Sequence, residues 1–128
     1  MKRIVVMLQK EMVDRILAPP STKEYGALSV MIRLYGKPKL VRKVPAGAFL
    51  PAPRVDSAVI VIEPHALITR DVERFSKVVH AAFQQRRKTL RNALSGIIDA
   101  ETFVRVGIDS QRRGETLSVE EFARLSDA

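Results

Sequence analysis

Between Gln84 and Leu94 the chain reads Gln-Gln-Arg-Arg-Lys-Thr-Leu-Arg-Asn-Ala-Leu, which puts Arg86, Arg87, Lys88 and Arg91 within six positions. No acidic residue lies between Glu73 and Asp99. Guanidinium groups grip phosphate through two parallel hydrogen bonds, and a folded block of them suits a nucleic-acid backbone. The block follows an apolar stripe at helical spacing, formed by Val72, Phe75, Val79, Ala82 and Phe83. One face can therefore anchor it while another presents charge. On a helix, Arg87 and Arg91 would share a face at i,i+4, and Lys88 and Arg91 at i,i+3. The competing reading is a solvated face that pairs with acids elsewhere.

Two further features could contribute. Arg33, Lys37, Lys39, Arg42 and Lys43 form a second basic run with no acid among them. The stretch Phe49-Leu50-Pro51-Ala52-Pro53-Arg54-Val55-Asp56-Ser57-Ala58-Val59 places alternate prolines in a loop that enters an apolar strand. Such prolines stiffen a loop, and a rigid loop can hold Phe49 out to stack on a base. Spacing alone allows equally that Phe49 plugs the core.

Other chemistries lack their residues. The six glycines, at 26, 36, 47, 96, 107 and 114, lie at least seven positions apart, so no Gly-rich nucleotide loop can be drawn. There is no cysteine, which removes disulfides and thiolate metal sites. His65 and His80 lack suitably spaced partners, so no metal site is expected. Asp56 and Ser57 are adjacent, and neighbours on a strand face opposite sides, so they make no catalytic pair.

The 128 residues read as one domain or part of a larger one, with 46% apolar residues to build a core. The net charge is +8 and the sequence pI about 10.3, which favours an acidic partner. Residues 1–64 carry eleven Lys/Arg against five Asp/Glu, and residues 65–128 eleven against nine. No apolar run approaches the roughly 20 residues of a membrane span. The opening Met1-Lys2-Arg3-Ile4-Val5-Val6-Met7-Leu8 is too short in its apolar part for a signal peptide, so a cytoplasmic location is expected.

The elements that must position these residues follow from patterning. Ile4–Leu8 predicts a strand buried on both faces, of the kind found in parallel sheets, and so hints at covering layers that this chain does not itself provide. Glu11–Leu17 predicts a short helix ended by Pro19-Pro20. Ser21-Thr22-Lys23-Glu24 has the form of a capping box, predicting a helix over 22–35 closed by Gly36 at C′. Leu40–Val44 and Val55–Ile62, joined by a proline-rich loop over 45–53, predict an antiparallel pair. The chain turns helical from Thr69, with a break near 84–86. A short helix runs from Asp99 to Val106 and ends at Gly107. A last helix begins at about residue 119, set by the Ser118 capping box and a staple between Leu117 and Phe122.

These segments, in this order, resemble the C-terminal half of the small-subunit rRNA dimethyladenosine transferases. Val5-Val6-Met7-Leu8-Gln9-Lys10-Glu11 looks like that family's fifth strand, and Tyr25-Gly26-Ala27-Leu28-Ser29-Val30 like the helix after it. The Phe49 stretch is similar to F-x-P-x-P-x-V-D-S-A. Phe83 to Asn92 is similar to F-x-x-R-R-K-x-L-R-N. Arg113-Gly114-Glu115-Thr116-Leu117-Ser118 resembles R-x-E-x-L-S. Ala52 and Gly114 stand where proline or alanine is commoner.

The resemblance implies an α+β fold. Residues 1–64 would be the last strands of a Rossmann-like methyltransferase sheet, and 65–128 a helical C-terminal domain. It implies an enzyme family that moves methyl groups from S-adenosylmethionine to two adjacent adenosines near the end of small-subunit rRNA. Phe49, Pro51 and Pro53 would line the pocket for the flipped adenine, a step that costs a few kcal/mol. Arg86, Arg87, Lys88 and Arg91, with Arg42 and Lys43, would contact rRNA. The family's Gly-rich cofactor loop and its Asn-Leu-Pro-Tyr-type tetrapeptide are not in this sequence, where Asn92 is the sole asparagine. The first expectation is therefore a region that supplies rRNA contacts and part of the base pocket, binds no cofactor and is inactive alone. The alternatives are a stand-alone basic module for RNA or the ribosome, and an interaction domain that self-associates through its first strand.

Overall fold

A computed structural model describes residues 3–45 and 56–128. The elements, in chain order, are strand β1 (Ile4–Gln9), helices α1 (Lys10–Leu17) and α2 (Ala27–Tyr35), strands β2 (Gly36–Val44) and β3 (Ser57–Pro64), then helices α3 (Val72–Gln84), α4 (Leu90–Ala93), α5 (Ala100–Val106) and α6 (Val119–Asp127). A 3₁₀ turn, Gly114–Thr116, precedes α6. The three strands form one antiparallel sheet in the order β1-β3-β2. The expected α+β class and antiparallel pair both stand.

Strand β1 corrects one expectation. It runs antiparallel to β3, with Val5 opposite Val61 and Met7 opposite Val59. Val6 and Leu8 pack with Val13, Ile16, Ala58 and Ile60 under α1. Val5 and Met7 point the other way and are 63% and 53% exposed. An unbroken apolar run identifies a strand but cannot give its direction or say what covers its second face.

Helix α2 links two apolar clusters. Its Val30 and Leu34 enter the main core with Phe75, Val78, Val79, Leu90, Leu94, Phe122 and Leu125, while Ile32 packs against the sheet cluster. The helix starts later than its sequence suggests. Ser21 takes a left-handed conformation (φ 67°), and its N–H donates to the Glu115 carbonyl at 2.7 Å. The expected box at Ser21 therefore does not form. Gly26 is the N-cap instead, its N–H donating to Ser29 Oγ at 3.1 Å, and the Ser29 hydroxyl donates to the Arg15 carbonyl. Nor is Gly36 a left-handed cap. Its backbone is extended, and an added Cβ would lie 2.7 Å from Ile62 Cγ2 and 2.8 Å from the Glu63 carbonyl oxygen. Close strand approach selects glycine there.

The helical part matches its local signals. Asp71 caps α3 through Arg74 N–H, and Asp99 caps α5 through Thr102 N–H at 2.8 Å. Gly107 closes α5 at φ 75°, a conformation that disfavours a side chain. Ser118 and Glu121 form the reciprocal box on α6, and Leu117 and Phe122 are fully buried beside it. Asp127 on α6 accepts from Thr69 Oγ1 at 2.7 Å and Arg70 N–H at 3.0 Å, which fastens the end of α6 to the approach of α3.

Candidate nucleic-acid interface

Helix α3 stops at Gln84, inside the expected break. Residues 85–88 form a turn, closed by Lys88 N–H donating to the Gln85 carbonyl at 3.0 Å. Arg87 and Arg91 therefore do not share a helix face, which corrects the i,i+4 ridge. Leu90 and Leu94 must reach the core, and both are fully buried, so the chain turns before re-entering a helix. The turn is pinned from behind: Leu90 N–H donates to the Arg112 carbonyl at 2.7 Å and Arg91 N–H to the Ser110 carbonyl at 2.9 Å. Arg87, Lys88 and Arg91 are exposed, and among the described residues none has an acid within ion-pair distance.

Arg86 behaves differently. Its guanidinium donates to the Lys23 carbonyl at 3.3 Å and to Glu115 Oε2 at 3.4 Å, and lies 5.7 Å from the centre of the Phe83 ring. Phe83 meets Tyr25 edge-on at 5.7 Å and Phe122 at 5.8 Å. The Tyr25 hydroxyl donates to the Leu117 carbonyl at 2.5 Å. Burial pushes the Tyr25 phenol up to about 12, so it stays neutral and keeps donating. Three separated motifs, at Tyr25, Phe83-Arg86 and Glu115-Leu117, thus converge on one cluster.

The second basic run divides. Arg33 folds back onto the Ser29 and Leu17 carbonyls at 3.2 and 2.9 Å, and burial lowers its pKa. In β2 the register skips Val41, so Leu40 pairs with Ile60 and Arg42 with Val59. Lys37, Lys39 and Arg42 consequently share the sheet face of Glu63, Val61 and Val59, which is also the uncovered face of Val5 and Met7. Lys43 pairs with Ala58 and belongs to the opposite face. Arg42 and Lys43 are both exposed, and Lys39 pairs with Glu63 at 3.3 Å.

Phe49, Pro51 and Pro53 lie outside the described residues. Gln9, Lys10, Glu11, Asp14, Arg15, Lys23, Glu24 and Asp56 line an open depression. Asp56, which follows Phe49, Pro51 and Pro53 in sequence, and Lys23, whose carbonyl takes Arg86, are both among its lining residues. His65 and His80 are exposed, and among the described residues no cluster of three or more His, Asp or Glu could hold a metal. No described helix is long and apolar enough to cross a membrane.

Sequence reading missed Arg112. Its guanidinium donates to the Thr116 carbonyl at 2.7 Å and grips Glu121 through both carboxylate oxygens. Glu121 is held below the usual carboxylate range chiefly by that hydrogen bond, and the Arg112 pKa is raised by the same bond. The signal was its place beside the Arg113–Ser118 motif. The described glycines serve close packing and turns. Gly36 closes on Ile62 and Glu63, an added Cβ on Gly114 would come 2.9 Å from Ala82 Cβ, and Gly96 and Gly107 occupy left-handed turns.

Fold and site define a basic α+β module built around an anchored cationic turn. The family model for ribosomal RNA adenine dimethylase matches residues 1–128, and the chain belongs to that family. It is 49% identical over 124 residues to "Ribosomal RNA small subunit methyltransferase A" of Acinetobacter baylyi, covering 94% of this chain and 45% of the relative. The protein of that name from Clostridium acetobutylicum is 47% identical over 134 residues, covering 98% and 49%. The chain thus spans about half the length of these curated relatives. A crystal structure of a dimethyladenosine transferase from Plasmodium falciparum superposes with TM-score 0.86 at 21% identity, over 97% of this chain and 56% of the other. The 23S rRNA methyltransferase ErmE follows at TM-score 0.67 and 20% identity, over 98% and 53%; both likenesses concern the fold.

Proposed function

We propose that this chain supplies the rRNA-docking surface and part of the target-base pocket of a small-subunit rRNA adenine dimethyltransferase acting in the cytoplasm during ribosome assembly. The carrying observation is the turn at 85–88. It offers Arg87, Lys88 and the nearby Arg91 to solvent without acid partners among the described residues, on a backbone pinned by Leu90 and the Arg112 and Ser110 carbonyls. Unpaired cations on a fixed backbone gain counterion release from phosphate without first breaking ion pairs.

In this reading Arg42 and Lys43, on opposite faces of the sheet, add positive charge, Arg86 adds its charge from within the turn it braces, and Phe49, Pro51 and Pro53 line the pocket of the extruded adenine, with Phe49 stacking on it. Residues 1–64 complete a methyltransferase sheet and 65–128 form the helical docking domain. Methyl transfer draws on S-adenosylmethionine held by residues outside this chain, so the chain alone docks without methylating. The uncovered face of β1 would be the site of any self-association.

The test is fluorescence anisotropy with an RNA hairpin carrying two adjacent unpaired adenosines, titrated across about 50–200 mM salt, beside a labelled methyl-transfer assay. Affinity should fall by orders of magnitude over that range. A salt-independent affinity would overturn the docking role, and methyl transfer by the purified chain would overturn its inactivity.

A further inference from the structure

We infer that Arg86 is a positioning residue, distinct from the phosphate-facing cations beside it, whose guanidinium fixes the turn that presents Arg87 and Lys88. The inference rests on the docking role proposed above, although part of its test does not need RNA.

Three contacts carry it. One guanidinium nitrogen, Nη2, donates to both the Lys23 carbonyl and the Glu115 carboxylate while the group lies over the Phe83 ring. Each contact belongs to a different stretch of chain: the loop before α2, the 3₁₀ turn before α6, and the last turn of α3. The side chain also passes Gly26, where an added Cβ would sit 3.8 Å from its Nη1. Arg86 is the residue of the turn that leads directly into Arg87. Freeing it therefore releases the turn at its N-terminal end, while the Leu90 and Arg91 hydrogen bonds still hold the other end. A lysine would not replace it fully, because its ammonium is a point charge on a flexible stem and cannot lay a planar guanidinium over the Phe83 ring while bonding Lys23 and Glu115.

Glu115 separates the two possible roles. If Arg86 acted through its charge on RNA, Glu115→Ala would strengthen binding, because it removes a negative charge and frees the guanidinium. If Arg86 positions the turn, the same change weakens binding. The experiment uses the hairpin RNA above with Arg86→Lys, Glu115→Ala and Arg87→Ala, and it reads amide exchange at Lys88 in each free protein.

Positioning predicts that Arg86→Lys and Glu115→Ala each weaken binding roughly threefold to tenfold with the salt slope unchanged. Arg87→Ala should weaken binding and lower the slope by about one. Exchange at Lys88, whose N–H closes the turn, should quicken in the first two variants while core amides such as Val78 do not change. Tighter or unaltered binding by Glu115→Ala, or full rescue by lysine, would overturn the assignment. If the wild-type chain shows no salt-dependent RNA binding, the docking role fails by itself. Lys88 exchange then decides alone, and unaltered exchange in both variants refutes the positioning of the turn.

Discussion

The Tyr25 hydroxyl donates to the carbonyl of Leu117, ninety-two residues away, and both residues are buried. This one bond ties the loop before α2 to the start of α6. Tyr25→Phe keeps the ring against Phe83 but leaves that carbonyl without its phenol donor. Chemical denaturation should show a loss of about 1–2 kcal/mol. A change within experimental error would show that the bond adds nothing net.

The same residue sets an alkaline limit. Its phenol is raised to about 12 by burial, against about 10 in an unfolded chain. A raised folded value favours the neutral form, so its contribution is complete below about pH 10 and is lost as pH climbs through about 12. Stability measured between those limits should fall in the wild type, and fall less in Tyr25→Phe.

At the acid end the Arg112–Glu121 pair contributes. The depressed Glu121 contributes stability above the ordinary carboxylate value, and that stability is lost as pH falls through its folded value. Glu121→Gln should flatten the acid limb of a stability profile. A residual slope will remain from Asp99, which the Thr102 hydrogen bonds also hold low. An acid limb unchanged in Glu121→Gln would contradict the assignment.

Gly114→Ala puts a methyl 2.9 Å from Ala82 Cβ, and neither neighbour is the end of a flexible side chain. Overpacking of this kind costs about 1–3 kcal/mol. Thermal unfolding should show a clearly lower midpoint, and an unchanged midpoint would mean that α3 and the 3₁₀ turn separate freely.

For the exposed cations, Arg87→Ala and Arg91→Ala should leave stability within about 0.5 kcal/mol of wild type. In the salt titration each should lower the slope by about one. Loss of folding in either variant would place these side chains inside the structure rather than on its docking surface.

Two identical-looking signals show how far the sequence was legible. Ser21-x-x-Glu24 and Ser118-x-x-Glu121 both read as capping boxes, yet only the second forms. Beside Ser118, the local pattern and the core agree, because Leu117 and Phe122 are buried where the helix starts. At Ser21 the distant Glu115 carbonyl takes the backbone N–H and the Leu117 carbonyl takes Tyr25, so tertiary contacts override the local preference. Asp99 and Gly107 were readable because both ends of α5 are set by neighbours in sequence. The basic block was legible as a cluster but not in its division of labour. Nothing in the sequence shows that Arg86 faces Glu115, Lys23 and Phe83 while Arg87 faces water. The proposed base pocket at Phe49, Pro51 and Pro53 lies outside the described residues.

The skipped residue in β2 has a consequence for length variation. Val41 is the surplus position between Leu40, opposite Ile60, and Arg42, opposite Val59. Deleting it would restore a regular ladder and leave Lys37, Lys39 and Arg42 on the side they already occupy. Deleting any single residue from β3 instead would turn over every side chain beyond the cut. Insertions and deletions among related chains should therefore gather at position 41 and avoid the central strand.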